Sequence, residues 1–300
     1  MDVRHSGFIA IVGRPNVGKS TLLNALLGEK VAIVSPKPQT TRNKIMGVLT
    51  QDGAQMIFLD TPGLHRAHNK LDEHMARAVD SSIADVDAAV LVVEPQAAAS
   101  ADELALLEKF RSEKHGKAEL PVLLAVNKID TLAHKEALMG VIAAWSARFA
   151  FAAVVPVSAL AKDGTEELLK ELRGVLPEGP AYFPEDMLTD QPERLLAAEI
   201  VREKLLELLS DEVPHGIAVS VERMKERGEL MDIEATIYCE RESHKGIVIG
   251  KGGRMLKLVG SRARADIERM LDCHVNLKLW VKVKEDWRNR EGTLKTLGYD

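Results

Sequence analysis

Eight residues near the N-terminus have the types and spacing of a phosphate-binding loop. They are G-R-P-N-V-G-K-S over 13–20, between an apolar run over 8–12 and a helix-forming run over 21–27. Glycines let backbone N–H groups approach phosphates, a helix N-terminus carries partial positive charge, and Lys19 adds a full charge. We expect the Ser20 hydroxyl to bind Mg²⁺, and we predict phosphate contacts at Gly13, Arg14, Pro15, Asn16, Val17, Gly18, Lys19, Ser20 and Thr21.

A second group of candidate residues follows a β-rich run over 54–59, which ends in D-T-P-G over 60–63. A carboxylate at the C-terminal end of a buried strand, beside a turn that contains glycine, suits a water-mediated contact to Mg²⁺ next to a phosphate. The turn could also sense the last phosphate of a nucleotide. The contacts predicted here are Asp60, Thr61, Pro62, Gly63 and Leu64.

Asp130 indicates which base is bound. It closes the motif N-K-I-D over 127–130, directly after an apolar run over 122–126. An ionised carboxylate only accepts hydrogen bonds, so it pairs with the N1–H and N2–H₂ donors of guanine, whereas adenine has an acceptor at N1. The motif therefore predicts a guanine site.

Neighbouring residues have supporting roles at this site. We predict that the stem of Lys128 lies along the base plane and that Asn127 connects the motif to the phosphate loop. The tripeptide S-A-L over 158–160 follows a β-rich run, and the backbone N–H of Ala159 could reach the guanine carbonyl. The predicted base contacts are thus Asn127, Lys128, Asp130, Ser158, Ala159 and Leu160.

Strands and helices must alternate to position these motifs. Strand-like runs occupy 44–50, 54–59, 88–93, 122–126 and 153–157, and helix-like runs occupy 70–84, 101–113 and 134–149. Such alternation is typical of a mostly parallel sheet with helices on both faces. The carboxyl ends of its strands would bring the motifs to one edge.

The composition is that of a globular protein of two domains, since 46% of the 300 residues are hydrophobic and 28% are charged. The N-terminus has no apolar segment of the signal-peptide kind, and apolar runs such as 88–93 are far shorter than a membrane helix requires. We expect a cytosolic protein. The two cysteines, Cys239 and Cys273, cannot form a disulfide framework and are expected to be small core residues.

The second part of the chain begins after a proline-containing segment over 176–192, which we interpret as a linker. A helix is predicted over 193–209, strands over 216–224 and 230–239, a helix over 255–271 and a strand over 275–283. Residues 241–295 carry 14 basic and 7 acidic side chains. This is the sizeable basic segment in a chain whose net charge is −5.

The sequence G-K-G-G over 250–253 lies in this basic segment, just before the predicted helix. Its glycines would let phosphates approach the backbone closely, and the next helix would direct its positive end at them. Ile247, Val248 and Ile249 are expected to form an apolar floor for bases. Trp287 could stack on RNA or pack against its own domain, and the predicted RNA contacts are Ile247, Ile249, Gly250, Lys251, Gly252, Gly253, Arg254, Trp287, Arg288 and Arg290.

Over residues 1–175, the order of these motifs resembles that of the translation-factor-like GTPases. The resemblance implies that a threonine before the second strand binds Mg²⁺ in the GTP state; Thr41 fits best, with Thr40 as the competitor. Many small GTPases have a glutamine where this chain has Leu64, so its side chain cannot orient the attacking water. GTPases that have Asn at the position of Asn16 use it to help bind K⁺. The catalytic residues implied are Asn16, Lys19, Thr41 and Gly63.

Residues 193–300 resemble a KH domain of the bacterial type, in which a G-x-x-G loop clamps single-stranded nucleic acid. The whole chain resembles the Era family: an α/β P-loop GTPase domain over 1–175, a linker over 176–192 and an α+β KH (type II) domain. The resemblance implies hydrolysis of GTP and binding of the 3′ end of small-subunit ribosomal RNA, rather than DNA, during assembly of the small ribosomal subunit. It also allows weak peripheral contact with the inner face of the membrane.

Two alternatives remain open from sequence. One is an RNA-binding structural factor that binds GTP and scarcely hydrolyses it, which Leu64 would favour. The other is a GTPase of RNA modification, which would share Asn16 but would need a cofactor or nucleophile region that the sequence does not reveal.

Overall fold

Strand β1 (His5–Val12) lies inside a six-stranded sheet whose order is β2-β3-β1-β4-β7-β8. The computed structural model describes residues 3–63, 68–112, 114–115, 118–210 and 213–299. β2 pairs antiparallel with β3, and the remaining pairs of this sheet are parallel. The other strands of this part of the chain are β2 (Ile45–Gln51), β3 (Ala54–Asp60), β4 (Ala88–Val93), β5 (Lys114–His115), β6 (Ala118–Glu119), β7 (Val122–Val126) and β8 (Ala153–Pro156).

Helices cover both faces of this sheet, because its central strands are apolar on both sides. One core contains residues of α1 and α5, and the other contains residues of α2, α3 and α4. The helices are α1 (Lys19–Leu27), α2 (Lys70–Ala84), α3 (Ala101–Ser112), α4 (Ala137–Ser146) and α5 (Thr165–Val175). The predicted α/β fold is therefore confirmed, with α4 shorter than the predicted 134–149 and the short β5–β6 pair not predicted.

The segment predicted as a linker is not a free connector along most of its length. The Ser6 hydroxyl donates to the carbonyl of Pro180 at 2.7 Å, and the Thr189 hydroxyl donates to the carbonyl of Met46 at 2.6 Å. The first of two compact units contains the described residues of Met1–Ala32, Thr41–Arg66 and Met75–Asp190. Proline frequency indicated irregular backbone correctly but could not show which side chains would bind it.

The second compact unit contains the described residues of Ile33–Thr40, Ala67–His74 and Gln191–Asp300. Its three-stranded sheet has the order β11-β10-β9, with β10 antiparallel to β9 and parallel to β11. Helix, strand, strand, helix, helix, strand is the order of a type II KH domain. The elements are α6 (Glu193–Leu208), β9 (Ile217–Arg227), β10 (Leu230–Cys239), α7 (Glu242–Ile249), α8 (Arg254–Leu271), β11 (His274–Val283) and α9 (Glu291–Thr296).

Helix α6 differs from a simple amphipathic helix, because its buried residues include charged ones. The Lys204 ammonium lies 2.7 Å from Asp266 of α8 and 2.9 Å from Glu203. These partners keep the buried lysine charged, and they raise its pKa even though burial opposes the charge. Hydrophobic spacing predicted the helix but not this ionic contact with α8.

The two cysteines lie in different environments. Cys239 is fully buried in the core of the second unit, and burial raises the pKa of its thiol to about 11. Cys273 is only partly buried against the same core. Among the described residues, no helix is both long enough and apolar enough to cross a membrane.

Candidate nucleotide and RNA sites

The phosphate loop turns sharply between β1 and α1 and depends on glycine at two positions. Gly13 has φ +151° and Gly18 has φ +96°. A Cβ on Gly13 would lie 2.4 Å from the carbonyl oxygen of Val92, and one on Gly18 would lie 2.3 Å from Nδ2 of Asn127. The left-handed backbone and the close neighbours explain why these positions require glycine.

Lys19 begins α1, and its ammonium lies inside the loop. Nζ donates to the carbonyl of Gly13 at 3.0 Å and to that of Arg14 at 2.9 Å. The side chain is buried, and burial lowers its pKa to about 8 against the opposing charge of Asp60. A buried ammonium that is held by carbonyl groups is poised to gain a stronger anionic partner such as a phosphate.

Three side chains form a compact oxygen cluster beside this lysine. The Ser20 hydroxyl donates to Oδ2 of Asp60 at 2.6 Å, and it lies 2.7 Å from the Thr41 hydroxyl. Asp60 is fully buried, and burial raises its pKa to about 6, although Lys19 and the hydrogen bonds oppose the shift.

This cluster fits a Mg²⁺ ion. Among the described residues, no hydrogen-bond donor contacts the buried Oδ1 of Asp60. Hydroxyl and carboxylate oxygens are the ligands that Mg²⁺ prefers, and a dication would favour the charged form of the carboxylate. The neighbouring Thr40 hydroxyl donates instead to the carbonyl of Lys37 at 2.6 Å. The arrangement therefore favours Thr41 over Thr40 as the threonine ligand.

The turn over 60–63 lies against the phosphate loop. The Thr61 hydroxyl donates to the carbonyl of Ile11 at 2.9 Å. Gly63 approaches Pro15 so closely that a Cβ on Gly63 would lie 2.7 Å from the Cα of Pro15. Pro62 is buried in the same turn, and the predicted contact at Leu64 lies outside the described residues.

Asn127 joins the phosphate loop to the residues predicted to bind the base. Its Nδ2 donates to the carbonyl of Val17 at 2.8 Å, as predicted. Its Oδ1 accepts from the backbone N–H of Ala159 at 3.0 Å. That N–H was predicted to donate to the guanine carbonyl, so the structure gives it a different partner. A bond to the base would have to be shared with Asn127.

Asp130 and Ser158 meet at the edge of this loop. The Ser158 hydroxyl donates to Oδ1 of Asp130 at 2.5 Å, while the carboxylate remains exposed. Leu160 is 81% exposed and contributes no packing. The hydroxyl holds the carboxylate in place and leaves its other oxygen available for a base.

Two glutamates that the sequence analysis did not select fix the charged residues of these loops. Arg14 Nε donates to the buried Glu103 at 2.8 Å, and the Lys128 ammonium lies 2.6 Å from Glu94. Lys128 has the left-handed φ of +65°, which directs the chain from β7 into the turn that contains Asp130. Local spacing gave no signal for either glutamate, because both partners are distant along the chain.

The G-K-G-G loop connects α7 to α8 with three glycines of positive φ. Their φ values are +70° at Gly250, +61° at Gly252 and +77° at Gly253. No atom lies within 4 Å of the position of a Cβ at Gly252 or Gly253, so both face open space. Lys251 and Arg254 are exposed beside them. The loop thus presents backbone and positive charge to solvent at the start of α8.

Side chains around this loop correct parts of the sequence prediction. Ile247 is 49% exposed and Ile249 is partly exposed, but Val248 is fully buried in the core and cannot contribute to a floor for bases. On a helix, neighbouring residues point in different directions, so three consecutive residues cannot share one surface.

Trp287 has the second of the two roles that the sequence left open, because it is fully buried against its own domain; the predicted RNA contact is wrong in this conformation. Its Nε1 donates to the carbonyl of Gly216 at 3.0 Å, and its ring stacks on Tyr299. Arg288 forms a bidentate contact with Glu240 at 2.6 and 2.8 Å, whereas Arg290 is exposed. Of the predicted C-terminal contacts, Arg290 is therefore the most accessible.

Comparisons with known proteins match both parts of the chain. Residues 8–128 match the family model described as 50S ribosome-binding GTPase, and residues 212–288 match the KH domain model. GTPase Era of Ruminiclostridium cellulolyticum is 50% identical over 295 residues, which cover 98% of this chain and 97% of the relative. GTPase Era of Geotalea uraniireducens is 51% identical over 296 residues, with 98% of each chain covered.

Two solved structures match nearly the whole chain. One is a variant of Era from Aquifex aeolicus bound to GDP and AlF₄⁻, with 39% identity, a TM-score of 0.93, and 98% of this chain and 99% of that chain covered. The other is Era in complex with MgGDPNP and nucleotides 1506–1542 of 16S ribosomal RNA, with 39% identity, a TM-score of 0.93 and 99% of each chain covered. The chain belongs to the GTPase Era family.

Proposed function

We propose that this protein is a GTP-hydrolysing switch whose KH domain binds the 3′ end of small-subunit ribosomal RNA during assembly of the small ribosomal subunit. The observation that carries the GTPase part is the side chain of Asn127, which bonds both to the phosphate loop and to the segment beside Asp130. It makes one site out of groups that suit phosphates, Mg²⁺ and guanine. The solved Era complex with RNA supports the second part.

The residues of this site have separable tasks in hydrolysis. Lys19 and the amides of the phosphate loop would stabilise negative charge on the phosphates, which grows towards the transition state. Ser20, Thr41 and Asp60 would hold Mg²⁺. When bound, that ion neutralises phosphate charge. Gly63 lets the turn approach the loop, so the backbone of the turn can respond to the presence of the last phosphate.

We further propose that Asn16 helps to bind K⁺ near the phosphates. Asn16 is exposed in the phosphate loop and has a left-handed φ of +64°. We expect GTP turnover to be severalfold faster in KCl than in NaCl, and the difference to disappear in Asn16→Ala. Steady-state phosphate release in the two salts at equal ionic strength measures this. Equal rates of the unsubstituted protein in both salts would refute a role for K⁺.

The G-K-G-G loop provides a charge test of RNA binding. Asp and Asn have the same shape and both tolerate left-handed backbone, and Gly252 has open space around it. We expect Gly252→Asp to bind a single-stranded oligonucleotide of the 16S RNA 3′ end about tenfold more weakly than Gly252→Asn, because only Asp repels phosphates. Fluorescence anisotropy of labelled RNA measures both affinities, and equal affinities would place the RNA elsewhere.

The switch is tested by the affinity for the same oligonucleotide with GDP and with a non-hydrolysable GTP analogue. Tighter binding in the GTP state, lost in Gly252→Asp, would support a nucleotide-controlled RNA clamp, since coupling is an affinity ratio. Equal binding in both states would exclude this mechanism.

Multiple-turnover phosphate release with and without RNA separates the switch from the alternative of a structural factor with negligible turnover. Release at the rate of GTP hydrolysis in buffer alone would favour that factor.

A cytoplasmic location is part of this proposal. Both cysteines are free thiols, as is usual in a reducing compartment. Weak peripheral contact with the inner face of the membrane rests on the family resemblance alone. Sedimentation with anionic vesicles, with and without GTP, would test that contact.

A further inference from the structure

Strand β11 carries an exposed tryptophan that neither site uses. Trp280 is 56% exposed, although the opposite face of the same strand packs its apolar residues, such as Leu277, Leu279 and Val281, against the core. An indole is among the largest apolar groups a protein can bury, so its exposure leaves a considerable stabilisation unused. An exposed aromatic residue that is surrounded by charged residues indicates a surface that binds a partner.

Two lysines flank this indole on the same face of β11. Lys278, Trp280 and Lys282 are two residues apart, so their side chains point to the same side of the sheet, and all are exposed. We call these residues the β11 stripe. At about 3.3 Å per residue, neighbouring members are roughly 6.6 Å apart along the strand. The indole is therefore bracketed by two ammonium groups.

The surroundings of the stripe have a net basic character. Lys284 lies 5.5 Å from the ring centre of Tyr238, whose position on β10 is paired with Lys282. Two acidic residues act on Lys278, and both also have arginine partners. Glu234 lies 3.9 Å from Lys278 and 4.0 Å from Arg223, and Asp232 lies 2.8 Å from Arg227. Within the described residues, no carboxylate is within ion-pairing distance of Lys282. The stripe therefore suits an anionic partner.

Edge-strand protection explains the lysines but not the tryptophan. β11 is at one edge of its sheet, and lysines on an edge strand discourage pairing with other chains. A large apolar ring in the same row has the opposite effect. Protein interfaces also select against lysine, whereas proteins that bind single-stranded nucleic acid combine aromatic stacking platforms with positive charge.

The strand that carries the stripe lies close to the helix before the G-K-G-G loop. α7, which ends at that loop, packs against β11. The stripe is on the opposite face of β11 from α7, and β11 is an edge strand, so an RNA strand that leaves the loop can reach the stripe by passing around this edge within the same unit. We infer that the β11 stripe is a second contact for single-stranded RNA, in which a base stacks on Trp280 while phosphates lie near Lys278 and Lys282. This inference rests on the proposed RNA binding and extends its site.

Length dependence of binding tests the stripe apart from the loop. A G-x-x-G loop holds about four nucleotides, so a tetranucleotide fills the loop and a strand of about twelve nucleotides also reaches the stripe. We expect Trp280→Ala to weaken the longer strand about tenfold and the tetranucleotide by less than twofold. Trp280→Phe should recover most of the loss, because phenylalanine retains a stacking face.

The protein contains its own probe for this contact. Of its three tryptophans, Trp145 and Trp287 are fully buried, so acrylamide quenching of native fluorescence reports on Trp280. We expect the longer RNA to quench this fluorescence and protect it from acrylamide, and the tetranucleotide to do neither. Lys282→Gln should weaken the longer strand severalfold. Lys225→Gln, exposed on β9 at the opposite edge of the sheet, is the matched control and should have no effect.

The outcomes separate the inference from the proposed function. Suppose that both RNA lengths bind, that Gly252→Asp weakens both, that Trp280→Ala leaves the affinity for the longer strand unchanged, and that this strand neither quenches nor protects Trp280 in the unsubstituted protein. The stripe is then not an RNA contact, and a protein partner becomes the better explanation for it. If neither RNA length binds the unsubstituted protein, the proposed function itself fails. Because Trp280 is exposed, Trp280→Ala should keep its melting temperature, which thermal denaturation checks.

Discussion

Lys19→Ala is expected to weaken GTP binding at least about 100-fold and to abolish measurable hydrolysis, because the site loses its buried positive charge at the phosphates. Among the described residues, the ammonium donates to the backbone carbonyls of Gly13 and Arg14 and is attracted by the charge of Asp60. These contacts only partly replace the water that burial removes, as the lowered pKa shows. Isothermal titration with GTP and phosphate-release kinetics measure the two losses.

Thermal denaturation distinguishes lost binding from lost folding in this variant. Removing the buried ammonium relieves its own desolvation cost but takes from Asp60 the positive charge that favours its ionised form, so the nucleotide-free variant should melt a few degrees below the unsubstituted protein. The unsubstituted protein should gain about 2.7 kcal/mol at a GTP concentration 100 times its Kd, and the variant should gain almost nothing at the same concentration. Lys170→Ala, on the exposed face of α5, is the control. Near-normal GTP affinity in Lys19→Ala would contradict the proposed site.

Asp130→Asn is expected to exchange guanine for xanthine as the preferred base. The carboxylate accepts from N1–H and N2–H₂ of guanine, whereas an amide would place its own NH₂ group against N2–H₂. Xanthine has a carbonyl at that position and can accept from the amide. Sites built on such pairs reject a mismatched analogue by about 10⁴-fold, so GTP affinity should fall by roughly that factor and XTP affinity should rise.

The local geometry allows this exchange without rebuilding the loop. The Ser158 hydroxyl that donates to Oδ1 of Asp130 can donate equally to the oxygen of an Asn side chain. Competition between labelled GDP and either GTP or XTP gives the affinities. Asp85→Asn is the matched control, because Asp85 is an exposed residue directly after α2. This variant should retain the preference for GTP. Loss of both nucleotides in Asp130→Asn would indicate a damaged loop rather than altered base recognition.

Sequence patterns were sufficient for the fold and for the order of the site motifs, since both depend on local periodicity. The alternation of apolar strands and helices predicted the parallel sheet, and glycine spacing predicted both loops. Partners at long sequence separation could not be predicted. Trp287 binds the carbonyl of Gly216, and Arg14 binds Glu103, and neither contact leaves a local pattern.

Trp280 is different, because its exposure could have been predicted. The run over 274–283 alternates apolar residues with polar ones, and Trp280 falls in register with Lys278 and Lys282 on the polar side. The order of KH elements alone does not predict this exposure, because it says nothing about the two faces of the last strand. Conversely, placing Ile247, Val248 and Ile249 on one surface ignored the helical period, which buries Val248.

The two hydrogen bonds of Asn127 have a consequence for how the protein distinguishes its nucleotides. They join the phosphate loop, the Asp130 loop and the Ala159 loop through groups of the protein alone. A framework assembled in advance loses little entropy when guanine enters, so it contributes affinity equally to GTP and GDP. Such a framework cannot report whether the third phosphate is present. That information must come from Thr41 and from the turn after Asp60. The protein therefore separates a rigid part of the site, which selects the base, from a responsive part, which reports whether GTP has been hydrolysed.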